Sequence, residues 1–182
     1  MRAFLLLVLA AAVAPATAAA APQEAPVVSV RSVDGVYTVE ARFDIAATPE
    51  AVREVLTDYA GIPRFMPDVR KSIVRERKGA RVTVEQEATS KVMLFSKTVH
   101  LLLDVHEGTD VLTFRDTCGK SFSRYEGSWT LVAAGPGTAV TYTLTAKPAF
   151  AVPPFMLKRL LDSNARNTID AIRAESALRD AH

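Results

Sequence analysis

One cysteine and three histidines in 182 residues remove most site chemistries at the outset. Cys118 has no partner for an internal disulfide, so stability has to come from packing. It stands beside Gly119 in a turn-like stretch with no close His or basic pair, which favours a structural thiol over a reactive or intermolecular one. His100, Asp104 and His106 share one strand face, but at about 3.3 Å per residue the two imidazoles lie roughly 20 Å apart. Asp104 and His106 could share an ion only with a third ligand from elsewhere, and solvated outer-face residues are the simpler reading. His182 is the last residue. There is no Gly-x-Ser-x-Gly elbow, phosphate loop or His-Glu-x-x-His, and neither a metal nor a cofactor is expected. Neither sign of charge dominates: 22 Lys and Arg stand against 20 Asp and Glu, which gives no electrostatic case for nucleic acid.

The one long apolar run is at the start. Met1-Arg2 is followed by Ala3 to Val13, then by Pro15 and small residues from Ala16 to Ala21. This is the order of a secretory signal peptide over 1–21, with cleavage after Ala18 or Ala20. The run is shorter than the roughly 20 residues a spanning helix needs. No Cys marks a lipid-anchor site. The expected location is periplasmic or secreted. Roughly 160 residues remain, enough for one domain with a real core. The expected layout is an N-terminal extension over 22–35, one domain over 36–177 and a tail over 178–182.

Period-two alternation starts at Val36, with Tyr37, Val39, Ala41, Phe43 and Ile45 on one face. Thr48-Pro49-Glu50 is a helix start, and Val52, Val55, Leu56 and Tyr59 follow at helical spacing up to Gly61. Residues 62–67 hold one short turn of helix between prolines. Six more strands follow with short connections: 69–77, 82–88, one carrying Val99 to Val105, 111–115, 122–132, and one after Gly135-Pro136-Gly137. A long helix over about 153–177 closes the chain, with Leu157, Leu160, Leu161, Ala165, Thr168, Ile169 and Ile172 as its apolar stripe. Arg159, Arg166 and Arg173 recur on another face and read as solubility. The class is α+β: a curved antiparallel sheet of about seven strands wrapped on a long C-terminal helix, with two short helices after the first strand. Such a sheet gripping one helix favours a small-molecule container.

Ala47-Thr48-Pro49-Glu50-Ala51-Val52, Leu56-Thr57-Asp58-Tyr59 and Ile62-Pro63-Arg64-Phe65-Met66-Pro67-Asp68-Val69 resemble the opening of polyketide cyclase/dehydrase-like proteins. Glu126-Gly127-Ser128-Trp129, Gly137 to Tyr142 and Pro153-Pro154 are similar to that family's late strands and last-helix entry. The likeness runs from about Val36 to Ala174. The family belongs to the START and birch-pollen-allergen-like superfamily and includes coenzyme Q-binding proteins. It implies a helix-grip fold with a hydrophobic cavity but no single function, since members include lipid carriers, quinone binders, aromatases and ribosome-directed toxins. Export argues against the last, and against aromatases fed by cytosolic acyl carriers.

The expected cavity lining is Val84, Gln86, Leu101, Leu103, Tyr125, Trp129, Tyr142, Leu157, Leu161, Asn164 and Thr168. Gln86, Ser123, Tyr125, Tyr142 and Asn164 are its in-phase polar residues. Asn164 could orient a ligand carbonyl or be an interior amide bonded to a strand. The tyrosines could serve a ligand or be core aromatics with satisfied hydroxyls. No carboxylate or histidine is in phase, so no catalytic residue is assigned and the reading leans away from an enzyme. Arg124 and Glu126 fall opposite Trp129; only if the Tyr125 face were the outer one would they become a buried pair.

Two apolar runs could form a door, 92–95 and 150–156, with Phe95, Phe150 and Phe155 as its gate and room for transient contact with a membrane. Arg70, Lys71, Arg75, Arg77, Lys78 and Arg81 form a basic cluster with Glu76 as its only acid, read as a solvated hairpin ahead of a dock for anionic lipid. The expectation is an exported carrier for an apolar small molecule such as a lipid, quinone or polycyclic compound, monomeric and without nucleic acid. The alternative is a cyclase or dehydratase using the same cavity.

Overall fold

A computed structural model describes residues 24–92 and 95–181, with the side chains of 90–92, 95 and 96 left out. Residues 1–23, which include the stretch read as a signal peptide, and Met93, Leu94 and His182 lie outside the described residues. The elements, in chain order, are β1 (Val27–Val33), β2 (Val36–Ile45), α1 (Pro49–Thr57), α2 (Ile62–Phe65), β3 (Val69–Lys78) and β4 (Arg81–Val92). They continue with β5 (Phe95–Glu107), β6 (Val111–Asp116), β7 (Phe122–Ala134), β8 (Gly137–Pro148) and α3 (Pro154–Asp180). All eight strands form one antiparallel sheet in the order β1-β2-β8-β7-β6-β5-β4-β3. It curves around α3, a helix-grip fold.

The expected seven strands are eight. The additional strand is β1, inside the segment read as an extension, and it pairs along its whole length with β2. The two meet at Asp34 and Gly35, both with positive φ (49° and 74°), the backbone that a two-residue hairpin turn requires. The short irregular stretch before β1 is held by the helix arginines. Arg173 donates to the carbonyls of Glu24 and Asp44, each at 3.0 Å, and Arg166 to that of Pro26 at 3.4 Å. Two members of the arginine row therefore strap the N-terminal segment to α3, a structural role beyond solubility.

Thr48 caps α1, its Oγ1 accepting from the Ala51 amide at 3.3 Å. Asp180, at the far end of α3, accepts from both the Thr48 amide (3.0 Å) and the Thr48 hydroxyl (2.7 Å). Next to it, Arg179 donates to Asp58 at 2.8 Å. Residues 178–180, read as a tail, are thus helix that locks α3 onto α1. Between these locks and the middle of α3, Ile169, Ile172 and Ser176 are almost wholly buried.

Two carboxylates bind this end of the molecule and respond to acid. Burial works against ionising Asp58, but Arg179, the Gly61 amide and Arg64 outweigh it and hold its pKa below the ordinary 3.8. Burial likewise opposes ionisation of Glu107, and hydrogen bonds from Arg77 (2.9 Å) and Tyr59 (2.8 Å) outweigh it, holding the pKa below 4.5. A group depressed on folding stabilises above its unfolded pKa and loses that contribution as pH falls through the lower, folded value. The melting temperature is expected to stay flat from about pH 7 to 5 and to fall below about pH 4. Asp58→Asn and Glu107→Gln should each lower stability at neutral pH and flatten the acid limb in a thermal-melt series.

Candidate functional site

Sheet curvature opens a cavity of about 520 Å³ between the inner sheet face, the α2–β3 connection and α3. That volume lies within the range of small-molecule sites. Three walls differ in character. On β5, Val99, Leu101, Leu103 and Val105 give an aliphatic wall. On β6, β7 and β8 the wall is aromatic: Trp129 stacks on Tyr142 with centroids 4.1 Å apart, and Tyr125 packs on Phe122 (4.9 Å) and Phe114 (5.9 Å). The first half of α3 supplies Leu157, Leu160, Leu161 and Asn164. The solvent-exposed lining residues Asp68, Lys97, Asn164 and Asn167 mark the mouth.

Of the expected lining, Gln86, Leu101, Leu103, Tyr125, Trp129, Tyr142, Leu157, Leu161, Asn164 and Thr168 face this space. Val84 does not: it is fully buried in the core among other side chains. Asn164 is an exposed rim residue, not an interior amide. Phe150 lines the cavity, whereas Phe155 stands outside it, 74% exposed. The Phe95 side chain lies outside the described residues. Ser123 is also outside the cavity, its hydroxyl donating to the Lys147 carbonyl at 3.2 Å.

The reason is a bulge. The β7–β8 register shifts between Phe122 and Arg124. That break lets Phe122 and Tyr125, three residues apart, both point inward, which strict alternation forbids. Phe122 is therefore missed by a period-two reading, and Phe114 sits on a strand too short to show its face. Phe65 and Met66 are missed as well, because the α2–β3 connection has no period to read.

The interior polar groups are neutral amide and phenol groups that can donate. Gln86 donates to Ser72 Oγ at 3.2 Å. Burial, with the Asp116 carboxylate adding to it, pushes the Tyr125 phenol up to about 12. Burial also raises Tyr142 well above 10, with Tyr125 nearby. Both stay neutral, and among the described residues neither hydroxyl has a hydrogen-bond partner. Tyr59, which also lines the cavity, already gives its proton to Glu107.

Arg124 and Glu126 pair with each other at 2.5 to 2.8 Å on the exposed outer face, so they offer the cavity no acid/base pair. Asp104 faces Arg81 and Arg115 on that same side, and His100 lies 3.8 Å from Glu87. Among the described residues no three His, Cys, Asp or Glu converge as metal ligands. Cys118 rests against the Asp116 carboxylate, Sγ to oxygen 3.2 Å, within its turn.

A mostly apolar pocket between a curved sheet and one long helix places the molecule among the helix-grip proteins. Residues 37–177 match the model of the family described as polyketide cyclase / dehydrase and lipid transport, and the chain belongs to that family. Among solved structures it is similar to a Thermus thermophilus protein at 26% identity, with a TM-score of 0.67, covering 78% of this chain and 97% of that one. It is similar in fold to a STAR-related lipid transfer protein from Xanthomonas axonopodis (22% identity, TM-score 0.68, 87% and 97% covered). The same holds for the Zhui aromatase/cyclase from Streptomyces (20%, TM-score 0.63, 79% and 95%). No match was found among curated proteins.

With both cavity phenols neutral, affinity for an uncharged ligand should be constant between about pH 6 and 9. Trp129 is the sole tryptophan, so its emission can follow a titration with an apolar ligand across that range. A bell-shaped dependence would instead reveal an acid/base pair at work.

Proposed function

We propose that this protein sequesters or shuttles an apolar small molecule, a lipid, quinone or polycyclic compound, outside the cytoplasm. The observation that carries the reading is the chemistry of the cavity: an extensive apolar lining with neutral donors and no interior carboxylate or imidazole. The family's lipid-transport description and the lipid transfer protein of similar fold support it. The single Arg2, the apolar run after it and the small-residue close of residues 1–21 support export.

The energetics need no reaction. Burying about 400 Å² of apolar ligand surface contributes roughly 10 kcal/mol. Association and ordering cost at least about 4 kcal/mol. The remaining ~6 kcal/mol corresponds to tens of micromolar from apolar contact alone. Hydrogen bonds from Tyr125 and Tyr142 to a ligand carbonyl tighten it by about 0.5–1.5 kcal/mol each. A cyclase or dehydratase in this cavity would need a proton acceptor, and a phenol held near 12 is a poor one at neutral pH.

Native mass spectrometry of the mature protein, purified gently from the periplasm, followed by solvent extraction, tests the carrier reading. A stoichiometric apolar adduct is expected. It should vanish in a folded Leu161→Trp, Thr168→Trp double variant, which fills the helix side of the cavity. An apo mass that persists after incubation with a mixed lipid and quinone extract would overturn the proposal.

A further inference from the structure

Two groups of cations contrast in how they are paired. On the β3–β4 hairpin all but Arg70 are matched: Lys71 and Arg75 face Glu85, Arg77 faces Glu107, Lys78 faces Glu76 and Arg81 faces Asp104. The basic cluster noted in the sequence is therefore largely neutralised by the neighbouring strands. Where β8 leads into α3, beside the mouth, the cations are unpaired among the described residues, while the exposed carboxylates Asp68 and Asp170 line the cavity itself. From Lys147 to Leu161 there are three basic residues, Lys147, Lys158 and Arg159, and no acidic one. Lys97 from β5 places its Nζ 3.1 Å from the centre of the Phe150 ring. Lys120 is brought alongside by the hydrogen bond from the Ala149 amide to the Ser121 carbonyl, 3.0 Å. All five are exposed, and among the described residues none has a carboxylate partner within ion-pair distance.

These cations surround an uncharged stretch from Pro148 to Leu157. Its outer surface consists of Ala151, Pro153, Pro154 and Phe155, all exposed, and Phe155 projects from the first turn of α3. Its inner surface is the cavity itself, through Phe150, Val152 and Leu157. An apolar tip flanked by cations without ion-pair partners matches a bilayer whose headgroups are anionic and whose interior is apolar. A second copy of this chain does not fit, because it would set five cations against five.

We infer that the mouth end of this molecule docks on anionic lipid bilayers, with Phe155 inserted at the headgroup boundary and Lys97, Lys120, Lys147, Lys158 and Arg159 over the phosphates. Combined with the carrier reading, on which its purpose rests, this brings the cavity opening to the surface that supplies or receives the cargo. The affinity itself depends on no cargo.

Flotation of the mature protein with vesicles of phosphatidylcholine, with and without about 30% phosphatidylserine, tests the inference. Binding is expected only to the anionic vesicles, and to fall at least about tenfold as salt rises from about 50 to about 500 mM. Phe155→Ala should weaken it about tenfold, and the pair Lys158→Gln, Arg159→Gln by about tenfold or more. The charge-matched pair Arg75→Gln, Lys78→Gln on the far hairpin should leave it unchanged, with circular dichroism confirming that every variant is folded. Equal binding to neutral vesicles, indifference to Phe155→Ala, or a concentration-dependent dimer abolished by Phe155→Ala would each overturn the inference. A cargo-loaded protein that ignores vesicles would overturn docking and leave the carrier intact. Vesicle binding by a chain that never holds cargo would do the opposite.

Discussion

The structure depends on α3 serving as core and cavity wall at once. From Ile169 onward the helix is core: Ile169, Ile172 and Ser176 are almost wholly buried, and Arg179 and Asp180 are tied to Asp58 and Thr48. Before that point the same helix lines the cavity through Leu157, Leu160, Leu161 and Asn164, with Leu157 and Leu161 themselves buried against the core, and the lining runs on to Ala171 and Ile172. Interiors of proteins are normally filled to crystal-like density. A void this large survives because the anchored end fixes the helix axis, and the curved sheet cannot flatten onto the rest without breaking its ladders. Stability and capacity thereby share one element, with the polar locks gathered at its C-terminal end.

That arrangement explains what could be read from sequence and what could not. Long alternating or helical stretches were legible because burial on one face enforces their period: β2, β5, β8 and α3 were all expected close to where they lie. β1 is not legible in the sequence, because Val27 to Val33 has no clean alternation. It is an edge strand, paired on one side only, and Val27 and Val33 remain exposed. The aromatic wall was half legible. Tyr125, Trp129 and Tyr142 obey the period, but Phe122 enters through the bulge, and nothing in the local sequence announces a register shift.

Charge tells a parallel story. Counting residues gave a nearly balanced chain and a basic hairpin. Only the pairing across β3, β4 and β5 reveals that the hairpin's charge is mostly matched, while the cations around the β8–α3 connection have no ion-pair partner among the described residues. Sequence neighbours in a sheet are seldom partners, so a run of like charge along one strand says little until its cross-strand neighbours are known.

The same hairpin has one more consequence. β3 is an outer strand of an open sheet, and a free edge invites another strand to add to it. Here it carries two register shifts, between Val69 and Lys71 and between Val74 and Glu76, and a row of long basic side chains. Irregular pitch and charge together spoil the template that an incoming strand would need. The residues that look most like a binding patch in the sequence thus act as a guard against aggregation, leaving the sheet free to end without closing into a barrel.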